Sequence, residues 1–305
     1  MIKRDIGSLL KRLREQKRIT QVELAEDSGI DRATISKIES GKSRPSINTL
    51  RALFEKLGYD LDSLENHYMS RDEIKLQKWK NELEDHLSNG RTEKSDELIS
   101  NLESSEDFMR HNVNTQFILA AKASNKLSKN EDADMSLALL NKAMRVSIPL
   151  FAERYIEDYF LSNQDVWIIN MMASIHFRNN DLERAISIMN AIKGNFDNHC
   201  VDINLKGKYY PTIICNLTKY LELMGRCEEA IKLCDIGVDV CRATDRFSKY
   251  HKIMFNKACC LWKLGRKDEC EIFIREAHYA CRIFNQLSDM KEIQHYAYEK
   301  LGVVL

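Results

Sequence analysis

In this chain of 305 residues, the side chains best spaced to act together are Arg32, Ala33, Ser36 and Lys37. At 3.6 residues per helical turn they share one arc, opposite Ile35 and Ile38. A surface helix needs only one apolar stripe, so the cationic and polar arc is left over for a partner, and its chemistry suits DNA. The flanking residues must position it. Thr20 followed by Glu23 is a capping box that starts a helix at Gln21, and Leu24 and Ala25 give that helix its inner face. Gly29 permits a tight turn, Asp31 caps the second helix, and Gly41 ends it where a left-handed residue is commonest. The following Lys42–Pro45, KSRP, reads as a basic loop placed to touch the sugar-phosphate backbone, with Lys42 and Arg44 as its cations.

Formal net charge is zero, with 46 Lys+Arg and 46 Asp+Glu, which by itself argues against a nucleic-acid binder. The distribution reverses that inference. Residues 1–58 carry 13 basic and 8 acidic side chains, so a basic head precedes a mildly acidic body. The length implies two domains. Only three prolines occur, helix formers dominate and no alternating strand pattern is present, so an all-α chain is expected. No apolar run approaches a membrane span, and the charged N-terminus does not read as a signal peptide, which predicts a cytoplasmic protein. Nine cysteines lie between Cys200 and Cys281 without a C-x-x-C pair; the expectation is reduced core thiols. No nucleophile elbow, phosphate loop or metal-spaced His/Cys cluster is present, so no enzyme, cofactor or metal is expected.

The strings TQ-x-x-LA (from Thr20), G-I-D-x-x-x-I-S-x-x-E-x-G (Gly29–Gly41) and Pro45 resemble the helix-turn-helix of phage-repressor (Cro/C1, XRE-type) proteins. That resemblance implies a five-helix head over residues 1–66 whose third helix enters the major groove. Gln21 would then hold a phosphate, Arg32, Ala33 and Ser36 would face base edges, and Thr34 and Lys37 would lie nearer the backbone. Arg14 and Glu39 match a buried ion pair of the family and are structural. In the head's own pattern, Ile6, Leu9, Leu10 and Leu13 stripe a first helix, Ser46 caps a fourth, and Asp60–Leu64 suggests a short fifth.

A helix across 67–90, opened by Ser70 with Glu73, joins the head to residues 71–305. Beyond it weak internal repetition appears. Asn216–Ala230 (NLTKYLELMGRCEEA) matches Asn256–Cys270 (NKACCLWKLGRKDEC) 40 residues later, and Met171–Ala185 with its Asn179–Asp181 turn fits the same frame. Helix pairs are predicted at 71–104, 106–147, 164–196, 201–243 and 246–287, with a last helix over 289–305. The repeats resemble tetratricopeptides, implying a right-handed α-solenoid.

A head of that type on about five degenerate pairs resembles the Rgg/PlcR-type (RRNPP) peptide-sensing regulators, with Tyr155–Trp167 and Ile175–Asp181 similar to the Rgg branch. The resemblance implies a homodimer that binds double-stranded DNA at an inverted repeat. It also implies a short imported signalling peptide, as in quorum sensing, held on the concave face of the repeats. An extended peptide needs partners for its backbone N–H and C=O groups. Asn170, Asn216 and Asn256 fall at equivalent points of three first helices and could supply them. One turn on, Arg178, Lys219 and Lys263 could hold a carboxylate. Each Asn could equally bond between helices, and each cation could be solvated. An alternative function is a phage or mobile-element repressor whose repeats bind a protein.

Overall fold

The computed structural model describes residues 6–43, 45–59, 71–88, 91–199 and 203–305. Arg44, the expected fifth helix at 60–64, the Ser70 cap and Cys200 lie outside them. Among the described residues every regular element is a helix, and the contacts divide the chain into two units, Met1–Glu84 and Asp85–Leu305.

In the first unit, α1 (Ile6–Gln16), α2 (Gln21–Ser28), α3 (Arg32–Glu39) and α4 (Ile47–Lys56) enclose Leu9, Leu10, Leu13, Leu24, Ile35, Ile38, Leu53, Phe54 and Leu57. Fully burying each such side chain contributes about 1.5–3 kcal/mol. The helix starts follow their side chains. The Glu23 N–H donates to Thr20 Oγ1 at 3.1 Å while the Thr20 N–H donates to the Glu23 carboxylate at 2.6 Å. The Asp31 carboxylate accepts the Thr34 N–H at 2.9 Å, and Ser46 Oγ accepts the Thr49 N–H at 3.1 Å. Gly29, at φ 69°, closes α2. Gly7 has a different reason: a Cβ there would lie 1.8 Å from the Ile38 carbonyl oxygen, so α1 and α3 cross at backbone distance.

The boundary between the units falls inside α5 (Arg71–Ser88). The second unit continues with α6 (Thr92–Glu103) and a single turn, α7 (Glu106–Met109). Helix pairs follow: α8 (Asn112–Ser128) with α9 (Ala133–Ser147), α10 (Asn163–Arg178) with α11 (Leu182–Asn198), α12 (Ile203–Leu223) with α13 (Cys227–Ala243), and α14 (Tyr250–Lys263) with α15 (Lys267–Ile283). The last helix is α16 (Leu287–Leu301). Each first helix packs on its own second helix and on the first helix of the next pair, as in a solenoid. Ala185, Ala230 and Cys270, the small residues of the repeat pattern, are fully buried in one continuous core.

The turn inside each pair repeats in atomic detail. Asn130, Asn180, Gly225 and Gly265 are all left-handed, at φ 56°, 62°, 76° and 77°. In all four the next N–H reaches back five residues to a helix carbonyl: Asp181 to His176, Arg226 to Leu221 and Arg266 to Leu261 at 2.9 Å, and Glu131 to Lys126 at 3.0 Å. That bond caps the orphan carbonyls of the first helix. It accounts for the NND and GR strings by which the repeats match. Between the first and second of these pairs the chain runs through a 3-10 turn (Glu153–Asp158), held by Asn195, whose Nδ2 donates to the Ile156, Glu157 and Tyr159 carbonyls at 2.7–3.1 Å.

Candidate nucleic-acid interface and ligand face

In the head, Arg32, Ala33, Ser36 and Lys37 are exposed while Ile35 and Ile38 are buried, which leaves α3 with one free polar arc. Lys42 is exposed beside it, because its N–H and that of Ser43 both donate to the Lys37 carbonyl and fold the loop back onto the end of α3. Thr34 is half-buried, and its hydroxyl already donates to Asp31. Those bonds from Thr34 hold the Asp31 carboxyl below its ordinary range.

Behind the arc, Arg14 grips Glu39 through two parallel bonds, Nε–Oε1 at 2.7 Å and Nη2–Oε2 at 2.9 Å, and a third nitrogen donates to the Ile19 carbonyl at 2.9 Å. Gln21 joins this network, its amide nitrogen donating to Glu39 at 2.9 Å. A phosphate contact from Gln21 would therefore use its second amide hydrogen or the N–H groups of the helix terminus. Burial alone would raise the Glu39 carboxyl, but the bonds from Arg14 and Gln21 outweigh it and hold it below the ordinary range. The hydrogen bond to Glu39 raises Arg14. The network ties α1, α2 and α3 together and fixes the angle at which α3 is presented.

In the repeats, the six expected ligand residues all lie on first helices; five of them reach toward the preceding first helix, and Asn170 accepts from one of those five. Asn216 Nδ2 donates to Asn170 Oδ1 at 2.8 Å, and Asn256 Nδ2 donates to the Cys215 carbonyl at 2.8 Å and to Thr218 Oγ1 at 2.9 Å. Arg178 donates to the Leu127 carbonyl at 3.0 Å. Lys263 holds both the carbonyl and the carboxylate of Glu222, at 2.8 and 2.7 Å. Lys219 sits over the Phe177 ring, 5.7 Å from its centre. The inter-helix role open to each Asn is therefore realised, and these residues form a ladder along the first-helix side. Phe177 stacks on Tyr220 at 4.7 Å.

Three of the six, Asn216, Lys219 and Asn256, line one cavity of about 340 Å³ between α12, α14 and α16. Residues with no individual sequence signal complete it. His251, which is 1 % exposed, pairs with Asp289 at 2.8 Å, and Lys252 reaches the same carboxylate at 3.1 Å. Burial lowers His251, and its Nδ1, itself buried, has no hydrogen-bond partner among the described residues. Burial would raise Asp289, yet the bonds from His251 and Lys252 hold it low. Phe255 meets Tyr296 edge to face at 5.2 Å, and Ile293 lies beside them. Burial pushes the Cys259 thiol in this wall up to about 12, far from a thiolate.

The helix-turn-helix family profile matches residues 10–64, so the head is a helix-turn-helix domain. An immunity repressor protein of Bacillus phage phi105 is 32% identical over 59 residues, 19% of this chain; the chain spans about two fifths, 41%, of that repressor's length. Three solved structures cover both parts. PlcR of Bacillus thuringiensis, in complex with the peptide PapR7 and DNA, gives a TM-score of 0.75 at 19% identity over 95% of this chain and 98% of that one. The SHP pheromone receptor Rgg2 of Streptococcus dysgalactiae gives 0.69 at 14% identity over 97% and 99%. ComR from S. thermophilus, in complex with DNA and its signalling peptide ComS, gives 0.60 at 14% identity over 98% and 100%. The chain has the PlcR/Rgg fold. Within that fold the head is the helix-turn-helix part and the repeats are the rest. Among its described residues no helix is long and apolar enough to cross a membrane.

Proposed function

We propose that this PlcR/Rgg-fold chain is a quorum-sensing transcription regulator. As a homodimer it binds an inverted-repeat operator through Arg32, Ala33, Ser36 and Lys37 of α3, with Gln21, Thr34, Lys42 and Arg44 on the phosphates. A short imported peptide on the first-helix side, at Asn170, Arg178, Asn216, Lys219, Asn256 and Lys263, shifts the affinity for DNA. The observation that carries this reading is likeness to PlcR over 95% of the chain, head and repeats together. The alternative, a phage-type repressor whose repeats bind a protein, is favoured by the phage phi105 match, but that match spans only 59 residues.

Duplexes selected by the full chain from a random pool should carry two half-sites in inverted order, one for each head of the dimer. Affinity should fall steeply with salt, by about 0.9 log units per log unit of salt for each phosphate contact. A peptide fraction from cultures of the native host should change it by about 5- to 150-fold, an ordinary coupling of two sites. Single half-sites, or no response to any peptide fraction while a host protein co-purifies, would transfer the chain to the alternative.

A further inference from the structure

We propose that Arg18, in the turn between α1 and α2, is a further DNA contact of the head, its guanidinium on a backbone phosphate beside those of Gln21 and Lys42. This rests on the DNA-binding reading and adds to it a residue outside the helix-turn-helix pattern. The turn has the form found in the repeats. Arg18 is left-handed at φ 58°, and the next N–H, that of Ile19, reaches back five residues to the Arg14 carbonyl at 3.2 Å. Every other left-handed position among the described residues is filled by Gly, Asn or Asp: six glycines, Asn130, Asn180, Asp245 and Asn285. Those are the residue types for which a positive φ costs least. Arg18 departs from that rule.

Nothing among the described residues accounts for the departure. The Arg18 side chain is exposed, with no hydrogen bond, carboxylate or ring partner there. Cations around it are engaged: Lys11 lies 3.9 Å from Glu15, Lys17 lies 5.4 Å from the centre of the Tyr59 ring, and Arg14 grips Glu39. Backbone strain with no internal contact to hold it points to a use outside the chain. The turn is anchored where such a use lies. Arg14 Nη1 donates to the Ile19 carbonyl at 2.9 Å, and the same guanidinium holds Glu39, the last residue of α3, to which Gln21 also bonds. Lys42 is folded onto that end of α3 through the Lys37 carbonyl. Arg18 thus joins the basic rim at the end of α3 and not its reading arc, so its contact positions the head and carries no sequence preference.

The test uses the full chain and a short duplex of mixed random sequence, titrated by fluorescence anisotropy over a series of salt concentrations. Arg18→Asn should weaken binding by about 10-fold and lower the slope of log affinity against log salt by about 0.9 for each bound head. Arg18→Lys should keep most of both, since a phosphate also accepts an ammonium. Hydrogen exchange of the α1 and α2 amides in the full chain reads the strain. It should slow by about 2- to 5-fold in Arg18→Asn and stay at the parent rate in Arg18→Lys. Parental affinity and slope in Arg18→Asn, or an Arg18→Lys variant that falls as far as Arg18→Asn, overturns the contact and leaves DNA binding standing. Faster exchange in Arg18→Asn gives the side chain a role in the fold and also overturns it. A parent chain that binds no duplex at any salt concentration overturns the contact and the DNA-binding reading together.

Discussion

At the scale of single residues, the head depends on one buried pair. Replacing Glu39 with Gln would leave the Arg14 guanidinium buried without its counter-charge, at a cost of about 3–5 kcal/mol, and thermal unfolding followed by circular dichroism should show the loss. The pH dependence has a definite sign. Glu39 is lowered in the folded chain, so its contribution is fully present above the unfolded carboxylate pKa and is lost as pH falls through the lowered value. The parent should therefore shed stability in acid faster than Glu39→Gln does. Arg32 tests the other side of α3. Arg32→Ala should cost about 1–3 kcal/mol of operator binding and relax sequence preference, whereas Lys42→Ala should weaken all duplexes alike. A gel-shift series over mutated operators separates the two. In the repeats, Asn256→Ala removes two inter-helix bonds, so a stability loss of about 1–3 kcal/mol should accompany any change in ligand affinity.

At the scale of elements, three substitutions at two glycines predict three different outcomes. Gly7→Ala would drive a methyl into the Ile38 carbonyl and must separate α1 from α3, so the head should fail to fold at ordinary temperature. Gly225→Ala meets open space but must hold a left-handed backbone, a strain of about 1–2 kcal/mol. Gly225→Asn should lose less, because Asn180 occupies the equivalent turn. Urea unfolding of the three variants ranks them. The same local signals made these elements legible in the sequence: Thr20 with Glu23, Asp31, Ser46 and the Gly-Arg and Asn-Asn-Asp turns each act within a few residues, so type and spacing reveal them. The cavity was not legible in that way. His251 and Asp289 are 38 positions apart, and they meet only because α14 and α16 come together in the stack. Likewise the residue pattern identified Asn216 and Asn170 as equivalents and left open a bond between helices for each, but it did not pair them with each other.

At the scale of the whole molecule, the dimer is the expectation with the most leverage on function. Residues 71–305 should dimerise without the head, with the last helix involved; light scattering that finds this fragment monomeric at micromolar concentration would break the link between operator symmetry and the repeats. The ladder along the first helices has a mechanical consequence. Bonds between successive helices act like springs in series, where extension gathers at the most compliant one. The α12–α14 junction is stiffened by the Asn256 bonds and the Lys263–Glu222 pair, and α8–α10 by the Gln116 bond to Asp165 and the Arg178 bond to Leu127. Between α10 and α12 the links are one neutral amide bond, a cation over a ring and the Phe177–Tyr220 stack, without a hydrogen bond to a charged group among those of the ladder. Strain imposed along the array should collect at that junction, and Lys219 stands on it.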